Sequence, residues 1–110
     1  MSNSLKRMQK AIDQAVNRIV ERFDPEKIIL FGSRARGDAG DGSDMDLLII
    51  MKVEGSRRKK AVEIGIELHD VRIPKDIIVT TPEDFEWRKD VIGTIEHPAF
   101  HEGKVLYARA

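Results

Sequence analysis

The sequence predicts an α/β domain, α+β in a stricter classification: a small mixed β-sheet with helices packed on one side. Three features predict it. Aliphatic runs at 28–31 (IILF) and 47–51 (LLIIM) have strand length and are bounded by Gly and Asp. Stripes of helical period precede and follow them. A third short run, 76–80 (DIIVT), comes after the second stripe, so strands and helices alternate. The 110 residues suffice for a single domain, 1–110, and 41% of them are apolar, enough for a modest core.

Composition removes several classes. The 19 basic and 19 acidic residues cancel, which argues against nucleic acid as a direct partner held by bulk charge. Without cysteine there is no disulfide framework and no thiolate zinc site. No signal-like or membrane-spanning apolar run occurs, so a cytoplasmic protein without a membrane partner is expected.

The first helix is predicted over about 4–23. Leu5, Met8, Ile12, Ala15, Ile19 and Phe23 recur at steps of three and four, and Asp24-Pro25 ends it. The first strand covers 27–31. The second runs from about 44 to 53, with Leu48 and Ile50 on the face of Asp44 and Asp46, and Met45, Leu47, Ile49 and Met51 on the other. Apolar on both faces, it is central in its sheet. A second helix covers about 57–69, with Ala61, Ile64 and Leu68 on one face. Its basic start, 57–60, reads as a solvated helix end. A third strand covers 76–80. Thr81-Pro82-Glu83-Asp84 then opens a helix, with Thr81 as cap, Pro in the first turn and acids at the positive end. Phe85, Ile92 and Ile95 are expected to share its face, with Val91 beside them and Trp87 off that line. His97-Pro98 kinks or restarts it, Glu102-Gly103 stops it, and 104–107 forms a last, edge strand. His97 and His101 lack the Glu that a zinc-protease motif places after the first His.

The chemistry lies between the first two strands. Asp44 and Asp46 point the same way from the second strand, with Cβ atoms roughly 6.5–7 Å apart at about 3.3 Å rise per residue. Like charges that close either raise a proton affinity or recruit a cation, and oxygen-only ligands favour Mg²⁺ or Mn²⁺. Gly32-Ser33 follows a strand and opens a short helical turn. Backbone N–H groups at such a start bind anions, and Gly32 lets a phosphate approach the backbone. Phosphate cradle plus carboxylate pair is equipment for phosphoryl or nucleotidyl transfer. The connection is longer than a tight hairpin needs. It lacks the Gly-Lys-Ser/Thr of a Walker loop, and Gly40 and Gly42 occupy positions where an EF-hand needs oxygen ligands.

Gly32-Ser33, ten residues, then Asp44-Met45-Asp46 resembles the signature of the DNA polymerase β-like nucleotidyltransferases. The wording around it is similar to the minimal nucleotidyltransferases, many of them antitoxins paired with HEPN-domain toxins. The resemblance implies the polymerase β-like fold, ATP as substrate and Mg²⁺ (Mn²⁺ as substitute) held by Asp44 and Asp46. It also implies a third carboxylate from a neighbouring strand, and Asp76 fits that position. Read without the resemblance, Asp76 is a strand-edge charge; its rivals Asp70 and Glu67 end the preceding helix. Gly32 and Ser33 would grip the outer phosphates. Arg36 would neutralise phosphate charge or pair with Asp38 or Asp41.

The implied partners are a nucleoside triphosphate and a HEPN-type protein that receives AMP on a tyrosine. Two other classes stay open: a non-catalytic module that neutralises its partner by occupancy, and an enzyme acting on a small molecule or an RNA end.

Overall fold

The computed structural model describes residues 3–32, 35 and 44–110. The elements run α1 (Asn3–Phe23), β1 (Lys27–Phe31), β2 (Met45–Ile50), α2 (Arg57–Glu67), β3 (Lys75–Thr80), α3 (Pro82–Arg88), α4 (Glu96–Glu102) and β4 (Lys104–Ala108). Among the described residues the strands form one mixed sheet in the order β3-β2-β1-β4. β1 is antiparallel to both β2 and β4, whereas β2 and β3 are parallel. No helix among the described residues is long and apolar enough to cross a membrane.

The alternation expected along β2 is realised. Met45, Leu47 and Ile49 join Ile28 and Leu30 of β1 and Val79 of β3 on one face. There they meet Ile12, Ala15 and Ile19 of α1 and Ile64 and Leu68 of α2. Leu48 and Ile50 join Ile29 and Phe31 on the other face, under Phe85 of α3 and Ala99 of α4. The helix layer is therefore two-sided, not one-sided as expected. The long helices cover one face and two short ones cover the second, because a central strand that is apolar on both faces needs both removed from water.

Local chemistry sets the element ends. Asp24 adopts a left-handed φ of 48° after α1, a conformation Asp tolerates, and Pro25 cannot continue the helix. β2 stops at Ile50, short of the expected 53. The Glu26 N–H still bonds the Ile50 carbonyl at 2.8 Å, but Pro25 before it has no N–H to extend the pairing. Ser56 accepts the Lys59 N–H and caps α2, and Thr81 accepts the Asp84 N–H and caps α3.

The helix predicted from Thr81 to a kink or restart at His97-Pro98 ends early, at Arg88, and the second helix begins at Glu96, beside the expected restart. The chain turns at Gly93, whose φ of 100° only glycine adopts readily. The Thr94 hydroxyl lies 3.0 and 2.8 Å from the carbonyls of Arg88 and Val91, and accepts the His97 N–H at 3.2 Å, closing one helix and starting the next. The face assigned to Phe85, Ile92 and Ile95 is broken accordingly. Phe85 is buried, while Ile92, Ile95 and Val91 are exposed.

Polar contacts tie these pieces together at the far end of β3. Thr80 donates to the buried Glu96 carboxylate at 2.8 Å, and Arg88 approaches the same oxygen at 3.6 Å. Arg57, at the start of α2, pairs with Asp84 of α3, which also accepts the Trp87 indole N–H at 3.0 Å.

Gly103 sits where α4 meets β1. A Cβ there would lie 2.2 Å from the Ala99 carbonyl oxygen and 2.9 Å from that of Leu30. Gly103→Ala is expected to cost about 1–3 kcal/mol by overpacking, read as a lower urea midpoint at unchanged slope. The Arg57 guanidinium, and then the Trp87 indole, hold the Asp84 carboxyl below the usual carboxylate range. The unfolded chain takes up that proton near the ordinary value of about 4, so the pair stabilises fully above it and is lost as pH falls through the lower folded value. Arg57→Gln is expected to flatten the acid limb of the stability–pH curve and leave neutral-to-alkaline pH dependence unchanged, as urea melts across pH would show.

Candidate functional site

β1 ends at Phe31, and Gly32 turns the chain away with φ 76°. The chain returns through Asp44 into β2. Phe31 stands opposite Asp46 in the antiparallel pair, and Asp46 stands beside Asp76 in the parallel pair. Paired residues in adjacent strands share a face, so Phe31, Asp46 and Asp76 form one row across three strands. The next row on that face is Ile29, Leu48 and Ile78, which is apolar. A carboxylate row thus caps a hydrophobic sheet surface, at the end where β1 finishes and β2 and β3 begin. Neighbouring strands lie about 4.8 Å apart, which sets the Asp46–Asp76 backbone spacing. Asp46 is half-buried; Asp44, one residue before β2, and Asp76 are exposed. Asp44 is held there by the Met45 N–H, which bonds the Pro74 carbonyl at 2.8 Å and couples the entries to β2 and β3.

Gly32 is part of the same construction. A Cβ on it would lie 2.3 Å from Oδ2 of Asp46 and 3.3 Å from its Cγ. The missing side chain is the space the carboxylate occupies. The left-handed φ excludes a larger residue a second time.

Of the predicted site residues, Gly32, Asp44, Asp46 and Asp76 therefore meet at one end of the sheet. Ser33 and Arg36, with the rest of 36–43, lie outside the described residues. Glu67 and Asp70 sit elsewhere: Asp70 pairs with Arg18, which holds its carboxyl below the usual range, and Glu67 faces Arg22 at 3.3 Å. In the basic run, Arg57 is committed to Asp84 and Lys60 to Glu63 at 3.1 Å. Trp87 is exposed and stacks with Arg88, whose guanidinium carbon is 5.0 Å from the ring centre. The His97 and His101 rings lie 4.4 Å apart, and His101 faces Asp90 at 3.3 Å. Sequence reasoning passed over Glu96, whose burial depends on Thr80 arriving from another element.

Among the described residues, no three His, Cys, Asp or Glu side chains stand close enough together to hold a metal ion unaided. Mg²⁺ asks for less, taking one or two carboxylates and completing its shell with water and phosphate. Adjacent carboxylates with a glycine beside them fit a cation that arrives with a polyphosphate.

The description "Nucleotidyltransferase domain" belongs to the family model that matches residues 12–100. A Methanocaldococcus jannaschii protein, provisionally assigned as a protein adenylyltransferase, is 32% identical over 106 residues, spanning 90% of this chain and 97% of its own. The crystal structure of a Sulfolobus solfataricus protein, provisionally assigned as a nucleotidyltransferase, superposes with a TM-score of 0.62 at 26% identity, covering 96% of this chain and 85% of that one. A chain of the MntA-HpeT toxin–antitoxin complex reaches a TM-score of 0.47 at 15% identity, over 98% of this chain and 75% of that one, and is too distant to inform the site.

Gly32→Ala is expected to displace the Asp46 carboxylate, so that Mg²⁺ with ATP raises the melting temperature of the wild type and not of the variant, while the apo fold survives. Scanning calorimetry with and without Mg²⁺ and ATP reads both effects.

Proposed function

The chain belongs to the nucleotidyltransferase domain family, and from that premise we propose that it transfers AMP from ATP to a hydroxyl of a partner protein. The carrying observation is the row in which Asp46 is flanked by Asp76 in register and by the bare backbone of Gly32. The similarity to a relative assigned as a protein adenylyltransferase, over nearly the whole of that relative, supports a protein as acceptor. The motif's resemblance to the minimal nucleotidyltransferases supports the finer reading: an antitoxin whose acceptor is a tyrosine of a HEPN-type toxin. ATP as donor agrees with a cytoplasmic location.

In this reading Asp44 and Asp46 hold Mg²⁺, and Asp76 completes the site on the acceptor side. Bound there, the metal supplies charge neutralisation at the phosphates and a lower pKa for the attacking hydroxyl. The chain's own groups do the rest. Gly32 and Ser33 offer backbone N–H groups to the outer phosphates, with no Cβ in the way at 32. Arg36 adds positive charge or shapes its loop. Asp76, exposed at the sheet's edge, accepts the acceptor's proton. The acceptor oxygen forms a bond to the α-phosphorus as the bond to the bridging oxygen breaks, and pyrophosphate departs with that electron pair. Holding both reactants in line against one rigid sheet end supplies much of the rate.

Asp44→Asn removes one of three clustered negative charges. Its melting temperature in chelator is expected to equal or exceed that of the wild type, its Mg²⁺–ATP shift to vanish, and AMP transfer to fall at least a hundredfold. Intact mass spectrometry of a co-purified partner, incubated with ATP and Mg²⁺, reads the transfer directly. Gain of AMP units with wild type alone supports the proposal. A stable complex whose mass never changes refutes it in favour of neutralisation by occupancy.

A further inference from the structure

β3 is the outermost strand on its side of the sheet, so among the described residues its outer backbone edge pairs with no strand. A groove of about 490 Å³ follows its leading half. One wall comes from α2, where Arg58, Ala61, Val62 and Gly65 recur as a single helical stripe. Pro74, Lys75 and Ile77 form the other. The lining holds two cations and no carboxylate.

Two details mark the groove as built for more than the fold. Gly65 lies inside a helix, where glycine costs about 1 kcal/mol relative to alanine. A Cβ there would meet nothing within 4 Å, so among the described residues no packing requires the glycine. It leaves backbone bare at the groove wall. Beside it, Val62 is 58% exposed and Ile66 66%. Lys75, across the groove, is anchored by the Val71 carbonyl at 2.9 Å, so its charge is held in place.

Period two then links the groove to the carboxylates. Lys75 and Ile77 point to the α2 side of the sheet, and Asp76 between them points to the other. An extended segment laid along β3 alternates in the same way. Every second side chain drops toward the groove, and the ones between rise beside Asp76. We infer that the acceptor protein docks an extended apolar–acidic segment along the open edge of β3, filling the Val62–Gly65 groove and presenting its hydroxyl next to Asp76. Main-chain pairing gives the affinity, and the groove gives the register. An acidic residue in the segment matches Arg58 and Lys75. The inference rests on the proposed AMP transfer to protein and names how that acceptor is held.

The test uses ATP labelled in the α-phosphate, Mg²⁺ and soluble protein from the organism that encodes the chain. Wild type is compared with Gly65→Arg, which fills the groove from a half-buried position, with Val62→Glu, which charges it at an exposed one, and with Gly65→Ala. The expected result is a protease-sensitive labelled band with wild type, weaker with Gly65→Ala, whose Cβ covers the bare groove wall, and reduced at least tenfold by each groove-filling variant. All variants keep the full Mg²⁺–ATP melting shift, and Gly65→Ala melts higher. Equal labelling by Gly65→Arg and Val62→Glu overturns the docking inference and leaves the transfer reading intact. A melting shift without any labelled protein, or label that ribonuclease removes and protease does not, overturns the transfer reading and the docking inference with it.

Discussion

β2 is hydrogen-bonded to antiparallel β1 on one side and to parallel β3 on the other, and this double pairing decides which side chains meet at the end of the sheet. A slip of one residue against either neighbour would invert the faces. Met45 would then join the row of Phe31 and Asp76, and Asp46 would be driven into the α1–α2 core. Such a slip would bury a carboxylate without a partner and expose aliphatic side chains. The cost of those two errors makes the observed register the stable one. The hydrophobic core and the acidic row are therefore one constraint seen from two ends of the same strand.

The same argument explains why the acids gather where they do. Leu48 and Ile50 continue the face of Asp46 and are buried under Phe85 and Ala99. The charged end lies at the rim of that cover, where water still reaches Asp44 and Asp76. Asp46 is the intermediate case, half-buried and tucked against Gly32. A small domain thus carries clustered like charges because it sets them at the edge of its core and gives one of them a glycine-shaped recess.

Much of this is legible from residues alone. β1 occupies the residues its aliphatic run marks, α1 ends at Asp24-Pro25, and Thr81 caps the helix it announces. The two faces of β2 separate by alternation as expected, and the family follows from Gly32-Ser33 and Asp44-x-Asp46. What the sequence could not carry is relational. Nothing local to Asp76 states that it pairs with Asp46, because parallel register is fixed by the crossover through α2 and not by a turn type. Nothing local to Glu96 tells of Thr80. The restart at His97-Pro98 is legible, but the break before it is not, because a helical period runs on past Arg88 until a glycine at φ 100° and the Thr94 hydroxyl override it. Both short helices are marked by their ends, but that they cover the second face of the sheet depends on the apolar row of Leu48 and Ile50, which is local to neither.

Charge completes the picture. With 19 basic and 19 acidic residues the chain has no net field to draw a polyanion from a distance, and at physiological salt exposed charges act over only about 8 Å. Any attraction for a nucleotide must come from groups within that reach of the carboxylate row. Several cations of the described residues are paired elsewhere: Arg18 with Asp70, Arg57 with Asp84, Lys60 with Glu63, Arg109 with Asp24. The acidic row itself repels a triphosphate. A nucleotide alone would meet that repulsion, and a divalent cation held by Asp44 and Asp46 would supply the charge to offset it. On this electrostatic ground the proposed AMP transfer calls for cation and nucleotide to bind cooperatively, each supplying the charge the other needs.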